Sequence, residues 1–270
     1  MADFRDPWTN IFYFKHLPLT RFALKKHKKL EAMVLNNANA VIAVSNKMIE
    51  EFSKTREDGI HLITNGFDPD DFNSNIAIER EKGEKFLLVH TGIFVDNGNP
   101  DLLWSVLKEL SSTIPNFKEL LEIRLIGQVD NSIIEDIKAN GLTSNTHIMG
   151  YLSHNTVTSW QKSASLLLLP LRKEPESAAI LTGKFFEYIA SGNPILAFGP
   201  TNGDLAEALK NSKSGTIVEF NNREAIKESL INSFNEYLKA PKQKRSLSKE
   251  SLIYSREELT KELVDILNNL

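Results

Sequence analysis

From Phe86 onward, short apolar runs alternate with segments in which apolar residues recur at helical spacing. The first run, residues 86–91, is largely apolar on consecutive positions, which is typical of a strand covered on both faces. It ends at Gly92, and an amphipathic segment follows from Pro100. A buried strand followed by such a helix predicts the first βα unit of a parallel sheet.

The same alternation continues to the C-terminus. It predicts further strands at residues 122–126, 146–149, 166–169, 195–198 and 215–220. It also predicts helices around residues 133–137, over 183–191, and from Arg223 and Ser248 onward. The pattern indicates an α/β fold: a Rossmann-like doubly wound parallel sheet over residues 69–245, then a C-terminal helix at 246–270.

Residues 1–68 have a different pattern. A long helical segment around Leu30 is followed by two strand candidates, at 40–45 and 60–64. So few strands cannot close a doubly wound core. We therefore predict the end of a partial second α/β domain and the crossover to the next domain, with about 150 further residues needed for a domain of normal size. The unpaired sheet edges of a partial domain would favour a homodimer.

Composition fits a globular protein and excludes several kinds of site. Of the 270 residues, 41% are hydrophobic and 25% are charged, which suffices for one or two cores. The formal net charge of -3 gives no general attraction to nucleic acid. The chain has no cysteine, so disulfides and cysteine-ligated zinc are excluded and a cytoplasmic location is expected.

No apolar run approaches the ~20 residues that cross a bilayer, and the N-terminus lacks the layout of a signal peptide. One basic run, KKHKK at 25–29, stands out from the otherwise mixed charges. Base rates for short charge runs favour a solvated helix face. The alternative is peripheral contact with an anionic membrane surface, here the inner face of the membrane.

Several short motifs follow one another in a recognisable order. They are ANAVIAVS at 38–45, HLITNGFD at 61–68, HTG at 90–92, IG at 126–127, MGYLSH at 149–154 and GKFFEYIASGNPILA at 183–197. The series resembles GT-B retaining glycosyltransferases of the group 1 or family 4 type, related to glycogen and sucrose synthases. The resemblance covers nearly the whole chain and implies a nucleotide-diphosphate sugar held between two Rossmann-like domains, mainly by the C-terminal one.

The helix predicted from residue 183 carries the proposed chemistry. Helix N-termini bind phosphate through unpaired N–H groups. Thr182 lies in the segment that opens this helix, Gly183 would let a diphosphate approach the backbone, and Lys184 would neutralise charge on the leaving diphosphate. Glu187 matches the second glutamate of the family's E-x7-E motif, which implies an acceptor for the ribose hydroxyl groups. Lys184 and Glu187 are the predicted catalytic residues; the alternative for Glu187 is an exposed helix residue paired with a lysine.

Other residues would line the donor site by resemblance. Gly92 and Gly127 lie at predicted strand ends, where turns alone also favour glycine. Tyr151 and Leu152 would lie near the nucleotide base, although Tyr151 could equally be a core aromatic. His90 could touch the diphosphate or be a hydrogen-bonded core histidine.

The sequence departs from the family pattern at two places. The first glutamate of E-x7-E would fall on Ala179, so its contact with the sugar would have to come from elsewhere, such as Glu174 or Glu176. The loop at 93–100 contains no Lys or Arg, where the family often grips phosphate. Donor binding would then depend more on Lys184 and Lys173.

The expected function is transfer of a sugar from a nucleotide-diphosphate donor to a hydroxyl acceptor, a glycan or a lipid-linked molecule. No His, Asp and Glu set has metal-ligand spacing, so no metal or other cofactor is expected. Family analogy suggests retention of configuration, and the missing acceptor half suggests poor transfer by this chain. Two rivals are a non-catalytic sugar-nucleotide-binding module and a GT-B-like nucleotide-sugar epimerase.

Overall fold

A computed structural model describes residues 1–11, 13–72, 85–241 and 247–270 of the chain. The N-terminal part contains a parallel sheet of three strands in the order β1-β2-β3. Its strands are β1 Ala2–Phe4, β2 Val41–Ala43 and β3 Ile60–Leu62, and its helices are α1 Arg21–Asn37 and α2 Asn46–Phe52. Apolar side chains from β1, β2 and α2 form a small core of their own.

The larger sheet has six strands, all parallel, in the order β6-β5-β4-β7-β8-β9. They are β4 Phe86–Thr91, β5 Leu121–Ile126, β6 Thr146–Gly150, β7 Leu166–Pro170, β8 Ile195–Phe198 and β9 Gly215–Val218. From β4 the chain first winds outward through β5 and β6, then crosses to β7 on the other side of β4. This is the doubly wound order, and its topological switch point lies between β4 and β7.

Helices cover both faces of the six-stranded sheet. They are α3 Asp101–Thr113, α4 Phe117–Leu120, α5 Asn131–Ala139, α6 His154–Ser163, α7 Gly183–Ser191, α8 Asp204–Ser212 and α9 Arg223–Lys239. The last helix, α10 Arg256–Asn268, has no buried residue and belongs to neither core of this sheet. Successive side chains of β4 lie in the cores on opposite faces of the sheet. Phe86 and Leu88 pack with α3, α5 and α9, whereas Leu87 and Val89 pack with α6, α7 and α8. The predicted fold class is confirmed.

The predicted strands and helices of the larger domain are all present, with shifts at their ends. β9 ends at Val218 rather than at residue 220, and β7 includes Pro170, which we expected to end it. The C-terminal helical segment begins with a 3-10 turn, and α10 starts only at Arg256, where Ser255 caps it. The predicted boundary between residues 245 and 246 lies outside the described residues, which leave out 242–246.

The N-terminal part contacts the larger domain at several points. The carboxylate of Asp204 on α8 accepts hydrogen bonds from the backbone N–H groups of Asn46 and Lys47, at 3.1 and 3.2 Å. The backbone of Phe67 in the crossover segment pairs with Ser255, just before α10. Within the described parts of the chain, no helix is long and apolar enough to cross a membrane.

Candidate functional site

Glycines shape the edge formed by the carboxyl ends of β4, β5 and β6. Gly92 has φ +96° and Gly127 has φ +117°, which L side chains rarely adopt. The Gly92 N–H donates to the Ile126 carbonyl and the Gly127 N–H to the Gly150 carbonyl, each at 2.7 Å. A Cβ on Gly127 would lie 2.3 Å from the Gly92 carbonyl oxygen. Close backbone packing therefore explains why glycine is required at position 127. This edge of the sheet lies beside the switch point.

Lys184 reaches across the switch point from the first turn of α7. Its Nζ donates a hydrogen bond of 3.0 Å to the carbonyl oxygen of Ile93, in the loop after β4. A Cβ on Gly92 would lie 2.6 Å from Lys184 Cε, so glycine is what lets the lysine stem pass. Burial lowers the pKa of Lys184 to about 8, with Glu187 opposing the shift and Arg172 adding to it.

The start of α7 is open on its outer side. Gly183 is exposed, and a Cβ placed on it would meet nothing within 4 Å. Thr182 is the N-cap residue, but its side chain caps no N–H group. Its Oγ1 is buried and has no hydrogen-bond partner among the described residues. Thr182, Gly183 and Lys184 therefore form a helix N-terminus with room for an anion.

Glu187 is half-buried one turn further along α7. Its Oε2 accepts a 3.0 Å hydrogen bond from Nε2 of Gln161 on α6. The carboxylate lies near enough to Lys184 to raise its pKa. The alternative in which Glu187 is an exposed residue paired with a lysine is wrong, because an amide from a buried side chain holds it.

Tyr151 and Leu152 follow β6 at the same edge of the sheet. The Tyr151 side chain is 78% exposed, so the alternative of a core aromatic is wrong. Leu152 is partly buried against the core on the α6 and α7 side. The exposed ring has a free face onto which a planar group could stack.

His90 is a core histidine. It is fully buried, its Nδ1 lies 3.0 Å from the Leu168 carbonyl oxygen, and its ring packs against Phe94. Burial, with Lys184 as the next contributor, lowers the pKa of His90 to about 3. The ring is therefore neutral at physiological pH. With Nδ1–H donating to Leu168, Nε2 presents a lone pair, which cannot donate a hydrogen bond to an anion.

Three charged residues after β7, Lys173, Glu174 and Glu176, have partners within the protein. Lys173 pairs with Asp101 at 2.9 Å, and its Nζ lies over the ring of Phe220. Glu174 accepts a hydrogen bond from Asn97 at 2.8 Å, and Glu176 pairs with Lys15 at 2.7 Å.

Sequence reasoning missed two residues at this site. Arg172 follows β7, and its charge lowers the pKa of Lys184, so it brings a second cation to the switch point. Its position at the carboxyl end of a buried strand was a usable signal. Gln161 is the other, and no motif marked it. Within the described ranges, no three His, Asp or Glu side chains converge as metal ligands.

Comparison with known proteins identifies the family. Residues 71–251 match the family described as glycosyl transferases group 1, which is more than half of the chain. The chain belongs to this family. A curated relative, an uncharacterized glycosyltransferase of Methanocaldococcus jannaschii, is 24% identical to this group 1 glycosyltransferase chain over 199 residues. That match covers 74% of the chain and 50% of the relative, so the chain spans half of the relative's length.

Solved structures of glycosyltransferases share the fold of this group 1 chain. A glycosyltransferase of Rickettsia africae is similar with a TM-score of 0.68 and 19% identity, over 94% of this chain and 69% of that one. Sucrose-phosphate synthase of Thermosynechococcus elongatus has a TM-score of 0.65 and 15% identity, over 99% and 66%. HepE of Anabaena in complex with UDP has a TM-score of 0.65 and 14% identity, over 94% and 69%.

Proposed function

We propose that the chain is the donor-binding part of a glycosyltransferase that moves a sugar from a nucleotide-diphosphate sugar to a hydroxyl acceptor in glycan or polysaccharide biosynthesis. One observation carries the proposal: Lys184 lies at the switch point between β4 and β7, beside the open N-terminus of α7. Open α/β sheets bind ligands in this crevice. The UDP complex of HepE, a structure of the same fold, supports a nucleotide donor.

The proposed chemistry divides the site by charge. The diphosphate lies on the N–H groups of Gly183 and Lys184, where the helix dipole and the ammonium group stabilise negative charge. As the bond between the sugar and the diphosphate breaks, positive charge grows on the sugar and negative charge on the leaving oxygen, which Lys184 neutralises. Glu187 cannot face a phosphate without repulsion, so it receives the neutral ribose hydroxyl groups. Retention of configuration is part of this proposal.

The nucleoside end lies along the glycine edge. Gly92 and Gly127 have no side chains that would project from this edge toward the nucleoside. The exposed ring of Tyr151, beside Leu152, offers a surface on which the base can stack. No metal ion is needed in this scheme, because Lys184 and the helix N-terminus neutralise the diphosphate. Arg172 adds positive charge that the loop at 93–100 lacks.

Three finer proposals concern the rest of the molecule. In the described residues the sheet beside the six-stranded one has three strands, so we expect this chain by itself to bind donor and to transfer sugar poorly. The KKHKK run lies on α1, whose exposed face also carries Phe22, 78% exposed, and this combination suits an anionic membrane surface. The three-stranded sheet has open edges through which two chains could form a homodimer.

A panel of nucleotides and nucleotide sugars tests the proposal. Calorimetry with UDP, GDP, ADP and their glucose or mannose conjugates should give one nucleotide that binds and competes with its sugar conjugate. Binding of none of them would overturn the proposal. Incubation with acceptor then separates the rivals, because an epimerase converts donor without acceptor and a binding module consumes nothing.

A further inference from the structure

A chain of buried hydrogen bonds lies directly beneath the proposed ribose position. It begins at Gln161 on α6, which is 0% exposed. Gln161 Nε2 donates to Glu187 Oε2 and to Thr91 Oγ1, both at 3.0 Å. Thr91 Oγ1 in turn lies 3.3 Å from the Tyr188 hydroxyl, which donates to the Leu168 carbonyl oxygen at 3.4 Å. One side chain thus connects α6, the end of β4 and α7.

The two acceptors at the ends of this hydrogen-bond series, the Glu187 carboxylate and the Leu168 carbonyl, fix the direction of every hydrogen bond in it. An ionised carboxylate and a backbone carbonyl accept hydrogen bonds and donate none. The amide nitrogen of Gln161 must therefore face Glu187, and the Tyr188 hydroxyl must donate to Leu168. Both N–H groups of the amide are then used, and Gln161 Oε1 is buried with no partner in the described parts of the chain. A rotated amide would turn that oxygen toward Glu187 and repel it.

Gln161 thereby determines which carboxylate oxygen is left for a ligand. Glu187 Oε2 is held by the amide, and Oε1 receives no hydrogen bond from the described residues. Two hydroxyl groups of a ribose need a carboxylate whose plane is fixed, because each donates along a lone-pair direction. A rotating carboxylate would lose part of this geometry.

We propose that Gln161 is a positioning residue, which orients Glu187 so that the site distinguishes ribonucleoside from 2′-deoxyribonucleoside diphosphates. The inference rests on the proposed function, since it needs a nucleoside diphosphate in the cleft. It goes beyond that function because it assigns the choice between ribose and 2′-deoxyribose in the nucleotide to a buried residue that does not touch the ligand.

Calorimetric titration of the chain with UDP and 2′-deoxy-UDP tests the inference, with ADP, GDP and their 2′-deoxy forms in parallel. The wild type should prefer the ribo form by about tenfold, the usual effect of a hydrogen bond to a charged group. Gln161→Met keeps an unbranched side chain in the buried site and should reduce that preference to about twofold or less. Thr158→Val is the matched control: Thr158 is buried on the same helix, and its hydroxyl donates only to the Asn155 carbonyl.

Gln161→Glu gives an independent test, since it remains polar if Gln161→Met does not fold. Two facing carboxyl groups share a proton at low pH, and the protonated one can donate as the amide did. Preference for the ribo form should then be retained near pH 5 and should fall as the pH rises and the shared proton leaves the pair. A wild-type preference that persists in Gln161→Met, or in Gln161→Glu after the pair has lost its shared proton, overturns the inference. So does a wild type that binds both forms equally, whereas absence of binding to any diphosphate overturns the proposed function itself.

Discussion

The ammonium group of Lys184 donates to the carbonyl oxygen of Ile93 at 3.0 Å, which ties the start of α7 to the loop after β4. A single neutral carbonyl is a weak partner for a charge that burial has partly removed from water. The pKa of about 8 reports this cost. An arriving anion would provide a stronger, charged partner than this carbonyl.

Replacing Lys184 with methionine should weaken nucleoside diphosphate binding by about 10- to 100-fold, the range expected for loss of a charge-assisted hydrogen bond. The free protein should not lose stability. The pKa of Lys184 in the folded chain is lower than its ordinary value of 10.5, so the folded state binds the proton less well and the charge costs stability at pH 7. Calorimetry measures the binding, and thermal unfolding at pH 7 measures the stability.

Lys173→Met is the matched control for that variant. Lys173 lies on the loop after β7 but pairs with Asp101. We expect its replacement to leave the affinity for the diphosphate within about twofold of the wild type, as is usual for a surface ion pair. Equal losses in the two variants would show that general positive charge, rather than the position of Lys184, attracts the ligand.

Binding should also depend on pH in the direction set by Lys184. Its pKa of about 8 in the free protein must rise when an anion binds, so binding takes up a proton above pH 8. The affinity should fall as the pH rises from 8 to 10, by up to about tenfold per unit. Calorimetry in buffers of different ionisation enthalpy measures the number of protons taken up on binding. This fall in affinity should vanish in Lys184→Met. His90, with a pKa of about 3, does not change its charge between pH 8 and 10.

Gly183→Ala should separate binding from stability. A Cβ at Gly183 points into open space, and alanine at a helical position stabilises a protein by about 0.4–1 kcal/mol. If a diphosphate lies against this backbone, the added methyl group should weaken its binding by about tenfold, the cost of a small steric overlap. Unchanged affinity for the diphosphate would place the ligand elsewhere.

Gly92→Ala should behave in the opposite way. Its positive φ and the 2.6 Å approach to Lys184 Cε make any side chain there costly. We expect the free energy of unfolding to fall by about 1–3 kcal/mol. Urea unfolding of both glycine variants provides the comparison, and a stable Gly92→Ala would mean that the lysine stem can move aside.

The sheet of the larger domain could be predicted because strands covered on both faces are apolar on consecutive positions, as at Phe86–Thr91. β1 and α2 were missed. β1 is three residues long and carries Asp3 at its centre, and α2 has seven residues, too few to establish a helical period. Short elements of this kind are stabilised by neighbours: β1 pairs with β2, and Asp204 accepts hydrogen bonds from the first N–H groups of α2.

The site was predictable only where a motif marked it. Gly92, Lys184 and Glu187 were predicted by resemblance, and the structure brings Gly92 and Lys184 into contact. Gln161 lies 26 residues before Glu187, and nothing along the chain indicates that their side chains meet. Pairing of buried polar groups depends on how helices are placed on the sheet, which sequence periodicity does not specify.

A buried ion pair on β5 gives the last prediction. Glu122 and Arg124 alternate with apolar residues on a central strand, and they are joined at 2.7 Å with side chains 12% and 9% exposed. Arg124 also lies 4.9 Å from the ring centroid of Trp160, a cation–π contact. Arg124→Leu would leave the Glu122 carboxylate buried without its partner, so unfolding free energy should fall by about 3 kcal/mol or more.

The double variant Glu122→Leu/Arg124→Leu removes both charges, and an apolar pair in a buried site is often as stable as the ion pair it replaces. We therefore expect it to recover most of the stability that Arg124→Leu loses, as measured by urea unfolding. Both residues lie on the α6 side of β5. The nucleotide affinity of the double variant therefore also tests whether the packing of α6 against the sheet affects binding in the cleft. If the double variant is no more stable than Arg124→Leu, the contact of Arg124 with Trp160, rather than charge pairing, stabilises this face of the sheet.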